Sequence, residues 1–86
     1  MNKSFQLFRE RLEKEHSWPD EYMFKFIVPK EKEEELKELF PALDFILKKS
    51  SAGNYISFTA RIMIESTDQV IQIYEEAHKV EGLIAL

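Results

Sequence analysis

Residues 55–64, Tyr-Ile-Ser-Phe-Thr-Ala-Arg-Ile-Met-Ile, decide how this chain folds. Ile56, Phe58, Ala60, Ile62 and Ile64 take every second position, and Tyr55, Ser57, Thr59, Arg61 and Met63 fill the alternate ones. Successive strand side chains point to opposite faces, so the alternation predicts an antiparallel strand with one face in a core and the other toward water. Immediately upstream, Ser50-Ser51-Ala52-Gly53-Asn54 is the one cluster of turn residues, and Phe45–Lys49 before it reads as a short strand. A hairpin is expected there, with Gly53 and Asn54 supplying positive φ and the serines satisfying nearby backbone groups. Downstream, Ser66-Thr67-Asp68-Gln69 has the form of a capping box, in which the Ser66 hydroxyl takes the Gln69 N–H and the Gln69 side chain reaches back. Val70, Ile73, Tyr74 and Ala77 then give a helix its buried stripe, Gly82 is placed as its stop, and Leu83–Leu86 forms a last short strand.

The first half supplies matching elements. From Glu21 to Val28, Tyr22, Phe24, Phe26 and Val28 alternate with Met23, Lys25 and Ile27, and the aromatic and β-branched content predicts a central strand closed by Pro29. Lys30 to Leu43 reads as a helix with Leu36, Leu39, Phe40 and Leu43 on one side, regular to about Phe40, where Pro41 interrupts it. Its glutamates, Glu31 and Glu33 to Glu35, read as a solvated face favoured by the helix dipole. Ser4 to about Glu15 is a helix with a narrow stripe of Phe5, Phe8 and Leu12, which can pack on the body, pair with a partner or fray.

The order is a helix followed by β-α-β-β-α-β. Right-handed crossovers then predict an α+β, ferredoxin-like βαββαβ two-layer sandwich, with a four-stranded antiparallel sheet and two helices on one face. Residues 1–86 are expected to form a single domain, with 1–17 a helical extension and 18–86 the core. With 44% hydrophobic residues, seven of them Phe, a core needs no covalent staples. Cysteine is absent, which removes disulfides, thiolate chemistry and cysteine-based metal sites and suits a cytoplasmic location. The charged amphipathic start does not read as a signal peptide, and no apolar run approaches the ~20 residues of a membrane span. The net charge of −4 disfavours nucleic acid as a partner.

The stretch KSSAGNY (Lys49 to Tyr55), the alternating strand after it, and STDQVIQIYEEAHKVEGL (Ser66 to Leu83) together resemble the YbeD-like family of small bacterial proteins. Ser50, Ser51, Gly53, Asn54 and Tyr55 match its turn, Gln69, Val70, Tyr74, Glu75 and Glu76 match its second core helix, and Trp18-Pro19 matches its entry to the first strand. The similarity runs from Trp18 onward and is weakest between Pro29 and Phe45. It implies a ferredoxin-like fold similar to ACT-type regulatory domains, and at most a link to lipoate metabolism, in a family of unknown function. The first turn, Val28-Pro29-Lys30-Glu31, departs from the glycine-bearing turn with which ACT domains commonly hold amino acids.

Two candidate sites follow. Ser50, Ser51, Gly53, Asn54 and Tyr55 offer hydroxyls, an amide and backbone N–H groups for an anion or carboxylate. Lys25, Ser57, Thr59 and Arg61, with Tyr55 and Met63, should share the open face of the sheet. An RNA-binding sheet of this topology stacks bases on aromatics, and here only Tyr55 is offered. His16 and His78 lie far apart, and neither is read as having a ligand-type partner four residues away, so no metal or cofactor is expected. No serine has a plausible base, so the chain is not read as an enzyme. The expected function is a non-catalytic regulatory or protein-interaction module, with self-association to a homodimer as one form of partnership. The alternative is an ACT-like sensor of a small ligand, an amino acid or a lipoate-related compound.

Overall fold

A computed structural model describes residues 3–86, with side chains from residue 6 onward. The Phe5 side chain of the expected N-terminal stripe lies outside that range. Strand β1 (Asp20–Pro29) and strand β3 (Tyr55–Ile64) pair antiparallel over their full lengths, from Asp20↔Ile64 to Pro29↔Tyr55. Strand β2 (Ile46–Lys49) joins the outer side of β3, and strand β4 (Ile84–Ala85) joins β1 through Phe26↔Ala85 and Ile27↔Ile84. The sheet order is β2-β3-β1-β4, all antiparallel, in an α+β architecture with three helices. The β1–β3 register puts Phe24, Phe26 and Val28 beside Ala60, Phe58 and Ile56, and all six side chains are buried.

Helices α1 (Lys3–Glu15), α2 (Glu33–Leu39) and α3 (Thr67–Ala77) cover that apolar face. Leu12 of α1, Leu36 of α2 and Val70 and Ala77 of α3 enter one cluster with the strand phenylalanines. Helix α1 therefore packs on the body: Phe8 meets Tyr74 edge-on at 5.4 Å, and Arg9 forms an ion pair with Asp68 at the start of α3. None of the described helices is long and apolar enough to cross a membrane.

Several local expectations are corrected. The Lys30 N–H is taken by the Asn54 carbonyl at 3.0 Å, which holds Lys30 against the β2–β3 hairpin. Lys30–Lys32 forms a 3₁₀ turn, and α2 proper runs only from Glu33 to Leu39. Leu43 lies beyond the helix and only Leu36 of it is fully buried, because Pro41 has no N–H to continue the ladder. Helix α3 ends at Ala77, before Gly82. Lys79 N–H to Glu76 and Val80 N–H to Ala77 are i→i−3 bonds that tighten the last turn, and Val80, 2% exposed, turns into the core there. Gly82 makes a second turn at φ +84, and a Cβ there would stand 3.0 Å from Pro29 Cγ. The Ser66 cap donor is Gln69 N–H as expected, at 3.2 Å, while the returning Gln69 side chain accepts from Glu65 N–H. Ile71 and Thr67 are also buried; the Trp18 indole N–H donates to the Thr67 hydroxyl at 2.8 Å, which accounts for a polar side chain in the core.

Leu12 is 2% exposed and Leu7, on the same helix, is 65% exposed. Leu12→Ala should cost about 2–5 kcal/mol in denaturant unfolding, as truncation of a core leucine does, and Leu7→Ala should stay within about 0.5 kcal/mol. Equal effects of the two substitutions would contradict the docking of α1.

Candidate functional site: the uncovered sheet face

With helices on one side, the register fixes what the other side presents. Across one row of the sheet run Ile46, Thr59, Lys25 and Leu86, the last placed by its N–H donating to the Lys25 carbonyl at 2.9 Å. The next row holds Lys48, Ser57, Ile27 and Ile84. Toward one end follow Arg61 beside Met23 and Met63 beside Glu21; toward the other, Tyr55 faces Pro29. The expected set of Lys25, Tyr55, Ser57, Thr59, Arg61 and Met63 is thus brought together.

Ile46, Lys48, Ile84 and Leu86 belong to this face as well, and sequence reasoning missed them. Strands of four and two residues are too short for alternation to assign their outward side. Among the described residues, seven large hydrophobic side chains are exposed, and six of them lie here: Met23, Ile46, Tyr55, Met63, Ile84 and Leu86. The exposed apolar side chains are thus gathered on one face and not scattered singly over the surface. The charged side chains of the face are Lys25, Lys48 and Arg61 against Glu21, and only Arg61 and Glu21 are within ion-pair distance, at 3.6 Å.

At the hairpin end, Ile27, Lys48, Lys49, Ser50, Ser51, Tyr55 and Ser57 line a shallow depression of about 360 Å³. It joins most of the hairpin candidates to the sheet face. Local bonding limits what the hairpin can donate, however. Ser50 N–H donates to the Tyr55 carbonyl at 2.9 Å, Gly53 N–H to the Ser50 carbonyl at 2.9 Å, and Tyr55 N–H to the Ser50 hydroxyl at 3.2 Å. The Ser57 hydroxyl donates to the Lys48 carbonyl at 3.4 Å. Within the hairpin Gly53 alone has positive φ, at 76°; Asn54 does not, and its carbonyl accepts from Lys30 N–H. The hairpin's N–H groups therefore close the turn more than they open an anion nest.

The titratable groups elsewhere serve structure. His16 does have a carboxylate four residues on, contrary to the sequence reading: its Nδ1–H donates to Asp20 at 2.7 Å, while its ring stacks on Trp18 at 4.8 Å. The four-residue spacing was readable in the sequence, although the contact is made across the bend after α1 and not within a helix. The His16 hydrogen bond holds the Asp20 carboxyl below its ordinary range, against a smaller opposing effect of burial. Among the described residues no three His, Cys, Asp or Glu side chains converge as metal ligands would.

A family model described as "Protein of unknown function (DUF493)" matches residues 13–86, and the chain belongs to that family. The YbeD-like resemblance of its turn and second core helix points to the same grouping. No curated protein and no solved structure matches the chain significantly.

The Tyr74 phenol sits among Phe8, Tyr22, Phe24 and Phe26, 3.1 Å from the Tyr22 hydroxyl. Burial foremost, and then the bond to Tyr22, push its pKa well above the ordinary tyrosine range. A raised folded pKa favours the neutral phenol, so its contribution is present below the unfolded value of about 10 and falls away as pH rises beyond it. Tyr74→Phe should lose about 1 kcal/mol at neutral pH, and its stability should then converge on that of the parent above about pH 10. Parallel stability curves through pH 11 would contradict this assignment.

Proposed function

We propose that this protein is a non-catalytic interaction module that presents the uncovered face of a ferredoxin-like sheet to a protein partner. The helix and strand succession and the order β2-β3-β1-β4 support the ferredoxin-like reading. One observation carries the functional proposal: six of the seven large exposed hydrophobic side chains of the described residues lie on that face. Methionine, tyrosine and arginine are the residue types enriched where protein interfaces are buried, and Met23, Met63, Tyr55 and Arg61 are all present. Flexible methionines also let one surface fit an irregular partner.

A second reading, an ACT-like sensor, draws on the depression beside the hairpin. Lys48, Lys49, Ser50 and Ser51 line one of its margins, and Tyr55 and Ile27 offer apolar contact, a combination suited to a small carboxylate or other anion. The committed hydrogen bonds of Ser50, Gly53 and Tyr55 favour the first reading over this one.

The pair Ile46→Ser with Met63→Ser tests the interaction module. Both side chains are exposed, at 74% and 62%, so the variant should unfold within about 1 kcal/mol of the parent. Immobilised parent should retain a protein from cell lysate that the variant releases. Identical capture by parent and variant, with folding intact in both, would remove the sheet face from the account.

A further inference from the structure

The charge of the uncovered face is opposite to that of the molecule. The chain carries a formal net charge of −4, yet the face bears Lys25, Lys48 and Arg61 against the single side-chain carboxylate of Glu21. Arg61 and Glu21 are within ion-pair distance of one another. Among the described residues, neither Lys25 nor Lys48 takes part in an ion pair, and the same holds of Lys14, Lys30 and Lys49, while Lys32, Lys37 and Lys79 are bridged to glutamates. The lysines of the face are therefore left for an outside carboxylate.

From these observations we infer that the occupant of the sheet face is an acidic protein segment carrying carboxylates among aliphatic or aromatic side chains. This inference rests on the proposal that the face is a protein-binding surface, and it adds the chemistry of the partner. The rows set the pattern. Strands lie about 4.8 Å apart, so Ile46 and Leu86 stand about 14 Å apart across the sheet, with Lys25 between them beside Thr59. One row along, Lys48 is followed by Ser57, Ile27 and Ile84. A complementary segment places a carboxylate at the centre of one row and at the edge of the next, with apolar groups beside each. Such pairing steers the encounter and selects against neutral or basic competitors.

The same charges weigh against two other occupants. A second copy laid face to face would bring two surfaces of net positive charge together, three cations against one carboxylate on each. A nucleic acid would satisfy the lysines but leave the aliphatic side chains without a partner, and among the described residues Tyr55 is the one aromatic ring this face offers for base stacking.

The test is selection from a random peptide library on the immobilised full chain, followed by fluorescence anisotropy of the selected peptides with four proteins: parent, Lys48→Glu, Lys25→Glu with Lys48→Glu, and Ile46→Ser with Met63→Ser. Lys48 is exposed, so its single variant remains informative if the half-buried Lys25 position disturbs folding. Selected peptides should be enriched together in Asp or Glu and in apolar residues. Their affinity should fall at least about tenfold in the double charge reversal and several-fold in Lys48→Glu at low salt, and also in the parent when salt is raised to about 0.5 M. Neutral or basic peptides that lose binding with the Ile46 and Met63 substitutions but not with charge reversal would overturn this inference and leave the sheet face as the binding surface. Absence of any selected peptide, or binding indifferent to all variants, would overturn both. Two further outcomes would reassign the occupant: binding of a polyuridine oligonucleotide that charge reversal abolishes while acidic peptides fail, or self-association of the parent that charge reversal abolishes.

Discussion

The ten-residue antiparallel ladder between β1 and β3 is the constraint on which the rest of this structure depends. Because strand side chains alternate, a single register decides at once which residues form the core and which face water. Phe24, Phe26, Val28, Ile56, Phe58 and Ala60 fall on one side, and Met23, Lys25, Ile27, Ser57, Thr59 and Arg61 on the other. A slip of one residue in either strand would exchange that strand's two sets, burying charges and exposing three or more large apolar side chains. The two short strands can add to this pair only at its edges, β2 beside β3 and β4 beside β1.

Helix placement follows from the core side of that register. The phenylalanines of β1 and β3 form an aromatic layer with Phe45 and Tyr74, joined through edge-on and tilted contacts at 5.3–6.5 Å. Three helices close over it, and α1 is part of that cover: Leu12 is as deeply buried as Val80 or Ile56. All three cover the same face. The opposite face is left with exposed aliphatic edges around Lys25, which forms no ion pair among the described residues.

Much of this was legible in the sequence because the long elements carry strong periodicity. The residues 55–64 alternate without a break, and the strand they predict is the strand observed, end to end. The capping of α3 by Ser66 was equally readable, since it depends on neighbours three residues apart. What escaped depends on contacts distant in sequence or on elements too short for a pattern. Helix α2 begins only after a 3₁₀ turn at Lys30, whose N–H bonds to the distant Asn54 carbonyl, and α3 ends early where Val80 turns into the core. The periodicity of β1 and β3 placed Lys25, Tyr55, Ser57, Thr59, Arg61 and Met63 together on one face. The contributions of Ile46, Lys48, Ile84 and Leu86 waited on the pairing of β2 and β4.

The central claim is that one face of this sheet is built as core and the other stands uncovered in the free chain, with large apolar side chains exposed among its charges. Methyl NMR with a soluble paramagnetic agent addresses it directly, because Met23 and Met63 place reporters on that face at 49% and 62% exposure. The account predicts strong relaxation of both ε-methyl signals at low protein concentration, while the methyls of Val28, Ile56 and Val70 in the core stay protected. Protection of Met23 and Met63 in the dilute free chain would show that the face is already covered, and would contradict the account at its base.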